Sequence, residues 1–593
     1  MARAIEVPGW ATGTIRHEGR EDSGAPAKAP AYHAWAIALG MAGVIALALF
    51  FRLYRLDTFM HWAFGDEMTY SLEGQRVTRG EYTNLFAFTW DQAPATYAYL
   101  LSAAQRLFGV TLHTGRIVSV IFGAATVPLV ALCARELKLS WVGSLLASSL
   151  LAVSHWHAHF SRMVVSTVPS AFALLLGLYC LMVAYRTKRW WAALLAGAVC
   201  GFAPYMFISN RIIAVILIAW LGYLAVFHRV WLRGSWPTVA LFTGAFTLVL
   251  LPLALFWLRS PDWFVAPEHR VGLIYHIDDW RQQHPGESGS TWNILAHQLA
   301  LAAGMFAIYG GPYVPWGGSY APAMDPVTGW LLVPAIAYAL YHWRRPLIAL
   351  VLIWFACIWF FGVVLTIDAP QMEHAVGLIA TAFLLIALLC DDLGAAIIRR
   401  IGHPVLYAGL AALLLLVSGL LNYNVFFNVW GGQLAGSGGF AWQWYDAGAY
   451  VARQRTPAGT AIYAAGGYPD EFFRFLSPHA GEFSAEGQTF RPASLYIVMA
   501  DSPLRADTIA AHLPGARQER VYDADGDLAF IALIPHAPAV YAARATRRPL
   551  FGVCAIGCDA PTDWKRAMVI HGNGDGGNVS RGHVSKQATE SKE

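Results

Sequence analysis

Charge is what this chain has least of. Only 13% of its 593 residues are charged while 57% are hydrophobic, and the mean hydropathy is +0.45. A soluble chain would carry roughly a quarter charged residues. A water-soluble globular protein is therefore excluded, and a polytopic α-helical membrane protein is expected. The 41 basic and 37 acidic residues nearly cancel, leaving a net charge of +4, so no nucleic-acid partner is implied. Residues 1–33 lack the short apolar core of a cleavable leader and read as a disordered cytoplasmic tail. Cysteine is scarce as well, and the seven present show no metal-ligand spacing. Cys133, Cys180, Cys200, Cys357 and Cys390 stand in apolar runs as small hydrophobes. Cys554 and Cys558 lie in the polar C-terminal part and could pair if that part is outside the cytoplasm. There is no internal repeat, and no matched pair of broken helices of the kind transporters use.

What the chain does have is a succession of apolar runs near the length of about 20 residues that a bilayer requires. They are 34–53, 116–136, 141–155, 164–185, 190–207, 211–228, 236–258, 327–343, 346–366, 371–390 and 404–422, about 11 transmembrane helices. The stretch 292–310 is interrupted by Asn293, His297 and Gln298 and reads as a helix lying at the surface. With the N-terminus inside, the inside turns carry Arg135/Lys138, Arg186/Lys188/Arg189, Arg229/Arg233, Arg344/Arg345 and Arg399/Arg400. Each inside turn thus holds the basic cluster expected of a cytoplasmic loop. A twelfth span at 292–310 would put the last two clusters on the wrong side. The organisation expected is a transmembrane domain over 34–422 with outside loops 54–115 and 259–326. A small extracytoplasmic α/β domain over 423–540 and a flexible tail over 541–593 follow.

Ionisable residues are rare in the middle of the spans, which argues against an ion-coupled transporter. They collect at the outside ends instead. Asp66 and Glu67 follow the first span in "FGDEMTY", where they could cap a helix, bind a cation or act as a base. Asp91 stands before Pro94 in "WDQAPATYAYLL". The turn "HWHAHFSRM" offers His155, His157, His159 and Arg162. Alternate residues share a face only on a strand, so a metal site through His159 is the weaker reading at a helix end. Arg162, Arg211 and Arg270 could each fork a phosphate or snorkel to lipid headgroups. An outside carboxylate with cations at headgroup level suits transfer of a sugar from a lipid-linked phosphate, because the acceptor hydroxyl must lose a proton to a base. These residues permit that reaction without singling it out.

The quoted motifs, with "HTGRIVSVIFGAATVPLVALCAREL", "LLAVSHWHAHFSRMVVSTVPSAFALLLGLYCLM" and "DAPQMEHAVGLIATAFLLIALL", resemble the GT-C superfamily of membrane glycosyltransferases over about residues 40–425. The resemblance is to family 39-like bacterial enzymes related to protein O-mannosyltransferases and the aminoarabinose transferase of lipid A. It implies Asp66 as catalytic base, with Glu67 and Asp91 orienting the acceptor or holding a divalent cation. Arg162, Arg211 and Arg270 become candidates for the donor phosphate. Where many relatives place an Arg after "AP", this chain has "QMEH", with His374 as the nearby cation. The donor implied is a polyprenyl-phosphate sugar, the acceptor a hydroxyl of a lipid, glycan or protein, and the setting the outer face of a bacterial cytoplasmic membrane. The alternatives are a lipid-linked saccharide flippase and an inactive GT-C scaffold protein.

Overall fold

The computed structural model describes residues 34–59, 63–82, 86, 93–285, 289–310, 321–367, 369–430, 442–454, 462–465, 470–478, 483–484, 494–500, 506–522 and 528–534. Asp91, Cys554 and Cys558 lie outside the described residues.

Every expected apolar run is a helix. In chain order these are α1 (Ala34–Leu53), α5 (Leu112–Glu136), α6 (Trp141–Val153), α8 (Thr167–Thr187), α9 (Trp190–Met206), α10 (Ile212–Phe227) and α12 (Trp236–Arg259). They continue as α16 (Pro326–Tyr341), α17 (Pro346–Trp359), α18 (Ile379–Ile401) and α19 (Pro404–Tyr423). Eight helical segments among the described residues are long and apolar enough to cross a membrane, while α6, α9 and α16 are shorter apolar helices. Shorter elements join them: α2 (Leu56–Phe59), α3 (Gly65–Thr78), α4 (Thr96–Phe108), α7 (His155–Phe160), α11 (Arg229–Gly234), α13 (Pro261–Val271), α14 (Ile277–Gln283) and α15 (Thr291–Gly304). α15 is the helix expected near 292–310.

Local chemistry sets the ends. The Thr111, Ser140 and Asp325 side chains accept from backbone N–H groups of the first turns of α5, α6 and α16, satisfying donors that the helix itself leaves open. α18 begins at residue 379 rather than 371 because Gln371–Leu378 is taken up by a turn and a short 3-10 helix. Packing within the bundle exploits small residues. A Cβ at Gly197 would stand 2.2 Å from the Phe242 carbonyl, and one at Gly201 would stand 2.6 Å from that of Phe246. Only glycine at this four-residue spacing lets the backbones of α9 and α12 come so close.

Beyond α19 the chain forms the expected small α/β domain. α20 (Trp442–Arg453), α21 (Asp470–Leu476) and α22 (Ala506–Ala511) pack with a five-stranded sheet of order β2-β1-β3-β5-β4. The strands are β1 (Ile462–Ala465), β2 (Phe483–Ser484), β3 (Leu495–Met499), β4 (Arg517–Tyr522) and β5 (Leu528–Ile534). β1 pairs in parallel with β2 and β3, and β5 runs antiparallel to β3 and β4. This domain sits on the bundle through α21, which packs against α3.

Candidate active site at the α3 end of the bundle

The site is built from the first turn of α3. Glu67 is fully buried, and its carboxylate serves four donors. Oε1 accepts from Arg116 Nε at 3.0 Å and from the Val164 backbone N–H at 3.0 Å. Oε2 accepts from Arg116 Nη2 at 3.2 Å and from the Phe64 N–H at 3.1 Å. Capping of α3 therefore falls to Glu67, three residues into the helix, and not to Asp66. With both oxygens engaged, Glu67 has no lone pair directed at an acceptor or a cation, which corrects the expectation that it would orient either. It is a positioning residue that ties α3 to α5 and to the loop before α8.

Asp66 is half-buried beside that pair, in the first turn of α3. One helical turn on, the Tyr70 hydroxyl lies 3.1 Å from Ser166 Oγ, at the start of α8. The neighbouring Thr167 hydroxyl donates to Glu373 Oε1 at 3.2 Å. Residues 66 and 70 share a helix face, so the face that carries Asp66 leads to Glu373. The "QMEH" turn contributes Glu373 here as well as His374. His374 itself is half-buried, and burial lowers its imidazole to about 4.

The arginines separate into different roles. Arg162 is fully buried, and its guanidinium donates to the carbonyls of Phe51, Arg52, Tyr54 and Arg55 at 2.9–3.1 Å. The Phe51 and Arg52 carbonyls are among those left open at the end of α1, where positive charge is also favoured, and Tyr54 and Arg55 follow it directly. Arg162 closes a helix end and does not present the expected phosphate fork. Arg211 is paired with Glu268 and with the Phe264 carbonyl of α13. Arg270 lies on the exposed last turn of α13. Backbone bonds from Ile367 N to Val271 O (2.9 Å) and from Leu273 N to Leu365 O (2.8 Å) fasten that turn to the segment leading into Glu373 and His374.

The three histidines of α7 diverge. His155 ring nitrogens lie 2.7 Å from Asn422 Oδ1 and 3.0 Å from the Pro322 carbonyl, while His157 Nδ1 lies 2.7 Å from Arg52 Nη2. His159 packs against Trp430, ring centroids 4.2 Å apart. Among the described residues no group of three or more His, Cys, Asp or Glu side chains could hold a metal ion. Glu67 is engaged by Arg116 and backbone N–H groups and His159 packs against Trp430, while Asp91 lies outside the described residues.

The C-terminal domain completes the surroundings. A Cβ on Gly65 would lie 3.7 Å from Glu471 Oε1 and 3.9 Å from the Phe472 ring, so α21 covers the residue before Asp66. Burial raises the Tyr445 phenol of α20 above its ordinary range. Arg116 opposes this shift, and the carboxylates of Asp446, Glu67 and Asp57 add to it. Sequence reasoning named none of Glu373, Tyr445 and Glu471 as site residues. Arg116 did carry a signal, since a lone Arg in an apolar helix demands a carboxylate partner.

Residues 82–260 match the family model of dolichyl-phosphate-mannose-protein mannosyltransferase. The structure is similar to ArnT from Cupriavidus metallidurans bound to undecaprenyl phosphate, with TM-score 0.53, 14% identity and coverage of 84% of this chain and 98% of that one. It is also similar to the Archaeoglobus fulgidus oligosaccharyltransferase AglB in complex with an inhibitory peptide and a dolichol-phosphate, with TM-score 0.51, 15% identity and coverage of 84% and 74%. No curated protein sequence matches the chain. The chain has the GT-C fold.

Proposed function

We propose that this chain is a glycosyltransferase that moves a sugar from a polyprenyl-phosphate donor to a hydroxyl acceptor, with Asp66 as the base. The observation that carries the reading is the division of labour in "DE". Glu67 is consumed in fixing α3 through Arg116, and Asp66 stands half-exposed on the element so fixed. A base needs a rigid mount and access to a proton, and these two adjacent carboxylates supply one each. The fold, the family match over residues 82–260 and the lipid phosphates of the two similar structures support the donor class.

In the proposed reaction the acceptor oxygen attacks the anomeric carbon while Asp66 takes its proton. The bond from that carbon to the phosphate oxygen breaks, and the configuration inverts in a single displacement. The phosphate leaves as an anion and needs no general acid if cations stabilise it. Arg270 is the candidate on the surface near the Glu373 turn, and Arg211, paired with Glu268, is a second. Asp91, expected to assist Asp66, keeps that role as part of the proposal. The basic turns at the end opposite α3 support an orientation with that end cytoplasmic and Asp66 outside, in a bacterial cytoplasmic membrane.

The experiment is a comparison of glycans, glycoproteins and glycolipids by mass spectrometry in cells with and without the protein. The expected result is loss of one hexose or pentose from one acceptor class, with the lipid-linked donor accumulating. Identical profiles, or accumulation of a saccharide on the wrong side with no transfer lost, would contradict the reading.

A further inference from the structure

At the end of the bundle opposite Asp66, the last turns of α8 meet α10, α11 and α12 around a groove. α8 starts beside Tyr70 and runs for 21 residues, so about 30 Å separates the two regions. The groove is shallow and open on one side, with a cavity of about 30 Å³ at its floor, and is walled by Leu181, Tyr185, Leu217, Trp220, Trp231 and Phe242. Its wall is ordered by aromatic contacts, Tyr185 stacking on Trp231 at 4.3 Å and meeting Trp220 edge-on at 5.4 Å.

The mouth is cationic. Lys188 stands in a left-handed conformation (φ 53°) at the end of α8, with its ammonium 5.6 Å from the Trp231 ring centroid. The hydroxyl of Thr238, another groove residue, donates to the Lys188 carbonyl at 3.5 Å and holds this corner in place. Arg189, Arg229 and Arg233 are exposed around it. Arg186 is neutralised by Glu136. Among the described residues no acid pairs with Lys188, Arg189, Arg229 or Arg233. Trp190, Trp191 and Trp236 lie exposed at the same level, where indole rings mark the boundary between hydrocarbon and headgroups.

We propose that this groove binds an anionic phospholipid, with one acyl chain lying along its open apolar side and the phosphate on Lys188. Within a bilayer an apolar groove takes up a lipid chain in any case, so selection rests on the headgroup. Four cations without acidic partners favour a negative one over a zwitterionic one. The groove is remote from Asp66, and its lipid is separate from the sugar donor.

The test is native mass spectrometry of the full-length protein in neutral detergent with phosphatidylglycerol or phosphatidylcholine added. The expected result is selective retention of phosphatidylglycerol. Lys188→Gln should weaken it about five-fold, while Arg399→Gln, in another basic turn, should leave it unchanged. Val239→Phe, which fills the groove, should abolish retention of both lipids. Equal retention of the two lipids by the wild type would overturn the proposal. So would a loss in Arg399→Gln as large as in Lys188→Gln, which would indicate diffuse charge. If Val239→Phe fails to fold, the Lys188 and Arg399 variants decide the matter alone.

Discussion

Arg116 of α5 and Glu67 of α3 form a doubly bonded ion pair, with Nε–Oε1 at 3.0 Å and Nη2–Oε2 at 3.2 Å, and neither residue is more than 1% exposed. Breaking a buried pair by removing one partner strands the other charge, at a cost of about 3–5 kcal/mol. Glu67→Gln and Arg116→Met are each expected to lower the melting temperature in detergent by several degrees. Arg116→Lys should not restore it, because an ammonium cannot supply the two-pronged geometry. Wild-type melting in Glu67→Gln would remove the positioning role assigned to it.

Arg162 separates a structural reading from a phosphate-binding one. Its guanidinium serves four carbonyls at and just beyond the end of α1, so Arg162→Gln should destabilise by about 3 kcal/mol or more. Thermal melts and the KM for the lipid donor, measured on the same preparation, distinguish the two. A raised KM with unchanged melting would return Arg162 to the donor site.

Glu373 is expected to matter for turnover more than for folding. It is half-buried and receives the Thr167 hydroxyl at the end of the path that leads from Asp66 through Tyr70. Glu373→Gln keeps the shape and removes the charge. Transfer should fall about ten-fold through lost positioning, with melting close to wild type. Unchanged turnover would place Glu373 outside the site.

His374 gives a pH dependence with a definite sign. Its folded-state value is lowered by burial from the model-peptide 6.5 to about 4. The unfolded chain therefore binds a proton first as pH falls. The stability it contributes is complete above about pH 6.5 and is lost between there and about pH 4. His374→Gln should flatten the fall in melting temperature over that window. A variant that tracks the wild type from pH 7 to pH 4.5 would contradict the assignment.

Helix positions were legible because apolar runs of near-membrane length, punctuated by basic turns, leave little alternative to spans. The α/β character of the C-terminal domain was legible from its alternating segments. The roles of individual charges were less so. "DE" marks two acids without saying which is buried, since that depends on where Arg116, Val164 and Phe64 place their N–H groups. Arg162 resembled a phosphate fork because its turn falls at headgroup level on the outside face. Its real partners lie more than a hundred residues earlier, at and just beyond the end of α1. The "QMEH" turn drew attention to His374 for its nitrogen, although burial lowers that ring and the fold ties the neighbouring Glu373 to Thr167 at the start of α8. Glu471 and Tyr445 belong to a segment with no motif, and only the docking of α21 on α3, with α20 packed on α21, brings them to the site.

The central claim is that Asp66 takes the acceptor's proton while Glu67 holds its helix. Asp66→Asn, purified in folded form and given a polyprenyl-phosphate sugar and the acceptor found by mass spectrometry, tests it most directly. Loss of a general base should slow transfer by roughly a hundred- to ten-thousand-fold, with melting near that of the wild type and donor binding retained. Transfer at the wild-type rate would contradict the account.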